Sequence, residues 1–524
     1  MDENGLKKIL QCFSWRDLKD LDEVEEPVFE KILQLNPALA FIPEKNMCII
    51  STRIFVEKRR FKTNKKGERE LVLIDYQSQR YLLISAVDDY AKMFNIDFIY
   101  PVVFKKYDAE TLLELGIKPK PGLVPPERVS PIFLKKVVDY GGIKKEDIPE
   151  PRDVYNNIKN LLLEYFEFQD EETYEFVAAW ILGTYFYTMF LAYPYLFIGG
   201  IKRTGKTKLL YFIFLSAFNA IFSVNMSTAA LFRYIDECGA TILLDETEDL
   251  NDPQRRLDVR SILLGGYKSG GLVHRVEGDR RKRVEDFDVY SPKAMANIYG
   301  VEDVLSDRAI TIIMIRSLNT AITEKNINQH DPIWQEIRDK LTALTLTRWR
   351  ELYDISRNFK NPSNKITARE YELWHPIFCI WKWIGGDELV QKMLPWVETK
   401  AEEKQIIELN DNRDLTLLKT LVEHVDRDGE YSLSEIRDWF KAEFQDEEQK
   451  WLNNKWIGSA LRRLGFKDSR LKGGRYHYFI PKNRLCKIAV VTGVLSPGDL
   501  GDLGDLIRGG GQHNKISPLY SHNV

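Results

Sequence analysis

Three features of the sequence predict a multidomain α/β protein. Five short apolar runs, at residues 195–198, 220–224, 241–244, 289–297 and 310–315, are mostly separated by helical segments, the pattern of a three-layer sheet with helices on both faces. The first run leads straight into Gly200-Ile-Lys-Arg-Thr-Gly205-Lys206-Thr207, a glycine-bearing loop with a helical pattern behind it. Residues 411–482 repeat neither pattern and read as a separate small domain of three helices and a glycine-turned hairpin. At 524 residues, 44% of them hydrophobic, the chain is long enough to bury several cores.

Taken from the start, residues 1–116 predict an α+β domain. Within it MCIISTRIFVEKRRF and ERELVLIDY are β-branched arms flanking the polar turn KTNKKG, a hairpin pattern. Residues 117–149 read as a linker, because KPKPGLVPPERVSP is too rich in proline for a helix or a central strand, and a domain boundary is expected there. Helical spacing of Val154, Ile158, Leu161, Leu162 and Tyr165 opens the nucleotide-binding core, residues 150–325. Residues 326–405 predict an all-helical lid whose tryptophans 334, 349, 374, 381, 383 and 396 are core rather than chemistry. Residues 487–524, with DLGDLGDL and glycines 509–511, read as a low-complexity tail.

Composition narrows the function. Lys and Arg number 75 against 78 Asp and Glu, a formal charge of −3, so any nucleic-acid surface must be local. The five cysteines are scattered without a CxxC pair, which argues against structural zinc and for a reducing, cytoplasmic setting. No signal-peptide pattern is seen at the N-terminus. Residues 176–201 are uncharged and long enough to span a bilayer, but Pro194 breaks the run and Lys202 and Arg203 continue it into the loop, so no membrane partner is expected. The histidines are dispersed, and no nuclease, primase or metalloprotease constellation is visible.

The loop carries the chemistry. Residues Gly200, Ile201, Lys202, Arg203, Thr204, Gly205, Lys206, Thr207 and Lys208 match G-x-x-x-x-G-K-[ST] between a buried strand and a helix start, where loop amides converge on phosphates. Lys206 should reach the β- and γ-phosphates of ATP, and the Thr207 hydroxyl should ligate Mg²⁺. Downstream, the apolar strand ATILL ends in Asp245-Glu246. Asp245 is expected to hold Mg²⁺ through water and Glu246 to polarise the attacking water, the two needs of phosphoryl transfer to water.

The order of phosphate loop, Asp-Glu strand, VYSPKAMAN strand ending at Asn297, and Leu305-Ser306-Asp307-Arg308 before AITIIMI resembles the AAA+ ATPases. Within that class, GGYKSGGLVHR, VEDFDVYSPKAMAN and LSDRAITI resemble the MCM-like helicases of plasmids and other mobile elements, over about residues 150–385. The resemblance implies an AAA+ three-layer P-loop core, Asn297 as the residue that positions water, and Arg308 as the finger completing a neighbouring subunit's site. It also implies a ring, by resemblance a hexamer. Cellular MCM proteins have Arg directly after Ser, where this chain has Ser306-Asp307-Arg308. Arg369 is a candidate second sensor in the lid.

Two basic segments are candidate DNA contacts. GLVHRVEGDRRKRVEDFDVYSP reads as a hairpin with Arg280, Arg281, Lys282 and Arg283 at its tip, and in MCM-like proteins such a hairpin faces DNA in the pore. Residues 411–482 look like the winged helix at the end of many MCM proteins. There, residues 451–484 hold nine Lys/Arg against one acid, with Arg462, Lys467, Arg470, Lys472 and Arg475 the expected phosphate contacts. The basic turn at residues 58–66 ranks below both. Together these readings imply an ATP-dependent helicase or replication initiator acting on single-stranded or forked DNA, with a primase or other replication proteins as partners. A protein-remodelling or loading ATPase and a nucleotide-gated DNA-binding scaffold remain as alternatives.

Overall fold

The β-branched arms near the N-terminus become the longest strands of the chain, and the sheet they found is the first structural layer. The computed structural model describes residues 35–495 apart from 64–68, 87–97, 121, 224–226, 246–252, 278–282, 297–302, 367, 412, 443–451 and 493. It divides into two compact units, Met1–Tyr299 with Ile310–Asn358, and Gly300–Ala309 with Phe359–Val524.

In the first unit, β1 (Leu39–Ile42), β2 (Met47–Thr63), β3 (Arg69–Ala86), β4 (Ile99–Lys106) and β5 (Gly142–Lys144) form an antiparallel sheet in that order. The expected hairpin is β2 and β3, paired from Met47↔Ala86 to Thr63↔Arg69, well beyond the apolar run that announced the second arm. Ala40, Ile42, Ile49, Leu82 and Ile84 bury one face of the sheet against Leu112, Leu115 and Ile117. Phe41 also packs 5.5 Å from the ring of Trp349, on the helix Pro332–Asn358.

The proline-rich segment is held, not loose. The Lys120 ammonium sits 2.6 Å from Asp236 Oδ1, and the Leu123 amide donates to Glu237 Oε2 at 2.9 Å. Arg128 is 8% exposed and donates to the carbonyls of Phe214, at 2.8 Å, and Ala220. Proline withholds its own amide, so this stretch cannot join a sheet and is satisfied by side chains instead. The boundary expected here is therefore absent: this sheet, the strap and the residues of the parallel core sheet up to 299 lie in one unit.

The core sheet contains β6 (Tyr195–Gly199), β7 (Ile221–Ser223), β8 (Ile242–Leu244), β11 (Lys293–Ala296) and β12 (Ala309–Ile313), ordered β12-β6-β11-β8-β7. Strand β11 runs parallel to both β6 and β8, and β7 runs parallel to β8. The fourth strand is shorter than its apolar run. Residues 289–292 turn away because the amides of Val289 and Ser291 bond to the carbonyls of Gly271 and Gly266. The uncharged residues 176–201 divide into part of the helix Glu171–Gly183, a short turn and β6, and most of their side chains are buried. Among the described residues no helix is long and apolar enough to cross a membrane.

Between β8 and β11, β9 (Leu272–Glu277) and β10 (Arg283–Asp288) pair antiparallel as the two predicted arms of a hairpin. The region expected as one lid is divided: Pro332–Asn358 belongs to the first unit, and Ala368–Asp411, broken at Gly386 (φ 66°), to the second. Trp334 and Trp349 are buried in the former, and Trp374, Trp381 and Trp396 in the latter, as core residues.

The second unit ends in helix Arg413–His424, β13 (Gly429–Ser432), helices Leu433–Ala442 and Asn454–Arg463, β14 (Ser469–Lys472) and β15 (Arg475–Ile480). The sheet order is β13-β15-β14, and Gly473 and Gly474 take positive φ in the two-residue turn. Leu417, Leu421, Ile436, Ile457, Leu461 and Ile480 are among its core residues. The tail begins later than expected, since helix Lys482–Val491 follows with Leu485 and Ala489 in the same core.

Arg128→Ala should lower the unfolding free energy of the first unit by about 3 kcal/mol, because it strands two buried carbonyls. The urea midpoint, compared with that of Arg128→Lys, measures this.

Candidate nucleotide-binding site

Strand β6 is buried at every residue and delivers the chain to the loop at Gly199, whose carbonyl accepts from the Met314 amide at 2.8 Å. Gly200 then takes φ +143°, and a Cβ built there would lie 2.3 Å from the Met314 carbonyl oxygen, so only glycine passes. Arg203, at φ 66°, and Gly205, at φ +91°, complete the reversal. The helix Lys206–Ser216 makes its first bond from Leu209 N to Gly205 O. The amides of Lys206, Thr207 and Lys208 precede that bond and lie at the positive end of the helix.

Lys206 folds back over the loop, its ammonium donating to the carbonyls of Gly200 at 2.7 Å and Ile201 at 2.9 Å. Thr204 is buried and closes the turn by donating to Ile201 O at 3.0 Å. Ile201, Lys202 and Arg203 are exposed at the loop's crest. Lys208 departs from the expected set in its side chain: its ammonium donates to Ile322 O at 3.0 Å and lies 5.6 Å over the rings of Tyr165 and Phe166. Burial, aided by Lys325, lowers its pKa.

The Thr207 hydroxyl donates to Asp245 Oδ2 at 2.7 Å. Asp245 follows β8 directly, so two motifs on different strands meet at one point although β11 separates β8 from β6. A hydroxyl and a carboxylate are hard oxygen donors suited to Mg²⁺, which takes few protein ligands and completes its shell with phosphate and water. Glu246 and Asn297 lie outside the described residues. Arg308 is half-buried between helix Asp303–Ser306 and β12, with its amide bonded to Leu305 O at 3.0 Å, and it falls in the segment grouped with the second unit. Arg369 lies 3.7 Å from Glu372 on its own helix.

Of the predicted DNA contacts, Arg280, Arg281 and Lys282 lie outside the described residues, and Arg283 opens β10 opposite Glu277. In the second unit, Arg470, Lys472 and Arg475 are exposed on one face of the β14–β15 hairpin, by the pairing Lys472↔Arg475 and Arg470↔His477. Glu430 approaches Arg470 at 4.0 Å and Lys472 at 3.6 Å. Arg462 is exposed on helix Asn454–Arg463, and Lys467 on the loop that follows. Arg463, by contrast, is bound bidentately to Asp414 at 2.6 and 2.7 Å.

Sequence reasoning missed Lys293. Fully buried in β11, its ammonium bonds the carbonyls of Gly266, Val289 and Ser291 and the Ser291 hydroxyl, all within 3.1 Å. It thereby ties the chain entering the β9–β10 hairpin to the chain leaving it. Asp236 adds a second tie, accepting from the Asp288 amide at 2.9 Å while it holds Lys120. The only sequence signal was a lysine inside an apolar strand.

Burial pulls the Lys293 pKa down to about 7, with Asp288 opposing. Between there and the ordinary lysine value the unfolded chain holds a proton that the folded chain lacks, so raising pH favours folding through this group. The unfolding free energy of wild type should therefore rise more from pH 7 to about 10 than that of Lys293→Met, in denaturant titrations at matched pH.

No protein-family model matches the chain, and no curated protein matches it. Among solved structures, a chain described as the active helicase Cch of SCCmec type IV aligns at 12% identity and a TM-score of 0.36, over 83% of this chain and 98% of that one. The apo C-terminal region of NrS-1 aligns at 12% identity and a TM-score of 0.30, over 77% and 94%. Likenesses this distant carry no assignment, which rests on the residues described above.

Proposed function

We propose that the chain is an ATP-dependent, ring-forming DNA helicase or replication initiator of the AAA+ class, similar to the MCM-like helicases of mobile elements. The observation that carries this reading is the hydrogen bond from Thr207 to Asp245, which brings the hydroxyl of a phosphate loop against a carboxylate at the end of a neighbouring strand. In this reading the loop amides and Lys206 hold the β- and γ-phosphates of ATP. Thr207 and Asp245 would hold Mg²⁺, which neutralises developing charge on the phosphates. Glu246 orients the attacking water, Asn297 positions it, and Arg308 of the next protomer stabilises the transition state. The β9–β10 hairpin would grip DNA in the ring. The helix, strand, helix, helix and hairpin order of residues 413–480 supports a winged helix, whose outer-face cations Arg470, Lys472 and Arg475 would bind phosphates with Arg462 and Lys467.

Steady-state ATP hydrolysis tests the reading. Wild type should be stimulated by single-stranded DNA, more so as protein concentration rises, and Glu246→Gln should lose about 10²-fold or more in rate. Hydrolysis indifferent to DNA would shift the assignment to a protein-remodelling ATPase, and no hydrolysis to a nucleotide-gated scaffold.

Mixing tests the shared site. Lys206→Ala and Arg308→Ala should each be inactive alone, and together they should recover part of the wild-type rate, because some interfaces then pair an intact loop with an intact arginine. No recovery at any mixing ratio would remove Arg308 from a neighbour's site.

A further inference from the structure

Strands β2 and β3 run far past the sheet that anchors them. Strand β1 is paired to β2 only over residues 47–50, and β4 to β3 only over residues 81–85, whereas β2 and β3 stay together out to Thr63↔Arg69. Over residues 53–63 and 69–78, each strand therefore has the other as its only ladder partner among the described residues. A two-stranded ribbon is marginally stable by itself in water.

The register assigns its faces. Side chains alternate along a strand, and directly opposed residues share a face. The pairs Phe61↔Leu71, Arg59↔Leu73, Glu57↔Tyr76 and Phe55↔Ser78 put Phe55, Phe61, Leu71, Leu73 and Tyr76 together, with the bulge at Lys58/Arg59 absorbing Ile74. These five side chains are between 42% and 67% exposed, a contiguous apolar face that a soluble surface rarely leaves uncovered. Arg59, which pairs with Glu57 on this face, and, opposite Thr63, Arg69 lie on the same face, where Arg53 also lies 4.9 Å over the Phe55 ring; Lys58, Arg60 and Lys62 lie on the other.

Charge selects the partner. The described ribbon from Arg53 to Tyr76 holds six cations against three carboxylates, although the whole chain carries a net charge of −3. A second copy of the ribbon laid on this face would oppose like charges. Exposed rings set among cations instead match a polyanion with unpaired, stackable bases. A duplex keeps its bases stacked on one another and offers these rings nothing to stack on.

We propose that the ribbon is a binding arm for single-stranded nucleic acid, with bases stacked on Phe55, Phe61 and Tyr76, phosphates held by Arg59 and Arg69, and Lys58, Arg60 and Lys62 adding positive field from behind. The arm deepens the DNA binding proposed above and rests on it for the partner's class, but it needs no nucleotide hydrolysis.

Anisotropy of a fluorescein-labelled oligothymidylate, titrated with the full chain at several salt concentrations, tests it. Phe61→Ala with Tyr76→Ala should weaken binding about ten-fold or more with the salt slope unchanged. Arg59→Glu with Arg69→Glu should weaken it and reduce the salt slope by about one. Both variants should keep wild-type ATP hydrolysis without DNA, which shows an intact fold, and the aromatic pair should bind duplex as wild type does. Arg470→Glu with Lys472→Glu is the separating control. If that pair weakens binding while both ribbon pairs leave it unchanged, the arm is wrong and the DNA reading stands. Altered sedimentation of the ribbon variants with intact DNA affinity would overturn the arm too, giving the face to another copy of the chain.

Discussion

The loop after β6 takes its shape because the chain passes the Met314 carbonyl at Gly200 with no room for a side chain. That passage depends on β12 lying beside β6, where the Met314 amide also closes on Gly199. From it follow the reversed residues of the loop, the start of the helix at Lys206 and the direction in which Thr207 presents its hydroxyl. Thr207 meets Asp245 only because β11 seats β8 at one fixed distance from β6. Backbone pairing fixes that distance, with β11 in parallel register against Leu196–Ile198 on one side and Ile242–Leu244 on the other. The site is thus a consequence of strand order as much as of motif.

The irregular segments around this sheet are secured by buried charges on backbone carbonyls. Arg128 holds the strap to the carbonyls of Phe214 and Ala220, and Lys293 holds both ends of the β9–β10 hairpin. Arg80, 4% exposed, donates to Glu237 O at 2.7 Å and lies 4.0 Å over the Tyr107 ring. A long cation can satisfy carbonyls that no ladder reaches. The Lys293 ammonium has four acceptors around it, whereas the Nε atoms of Arg80 and Arg128 are buried without an acceptor among the described residues and offset that cost only through their other nitrogens. Asp236 joins these elements, since it touches the strap through Lys120 and the hairpin base through Asp288. The strap is tied in turn to the N-terminal sheet, where Arg80 donates to Leu123 O at 3.3 Å.

The two DNA-facing candidates outside the hairpin differ in design. The β14–β15 hairpin in the second unit sets cations on one face over a packed core, with Tyr478 and Ile480 buried on the other. Among the described residues the outer β2–β3 ribbon exposes Phe55, Phe61, Leu71, Leu73 and Tyr76 rather than burying them. The first arrangement suits phosphates alone, the second phosphates together with bases.

The local structure was legible in the sequence: the loop of residues 200–207, the strand ending before Asp245, the arms of both hairpins and the helices and hairpin of residues 413–480. Glycine at a forced turn, period-two alternation and apolar helical spacing are short-range demands that each segment meets by itself. Contacts between distant segments were not legible. Proline richness predicted a free linker at residues 118–131, but Asp236, Glu237 and the carbonyls of Phe214 and Ala220 made it a strap. Helical periodicity predicted one lid, but packing assigned its two long helices to different units. Lys208 matched the motif by position while its ammonium found Ile322, and Lys293 drew no reading at all, although Gly266, Val289 and Ser291 close around it. The sequence by itself determined the turn at Gly200 to Gly205, the helix that starts at Lys206 and the strand that ends before Asp245, because these depend on residue type and local backbone. Only the tertiary structure decided that Thr207 and Asp245 meet and that Lys293 is enclosed, because both depend on which strands become neighbours.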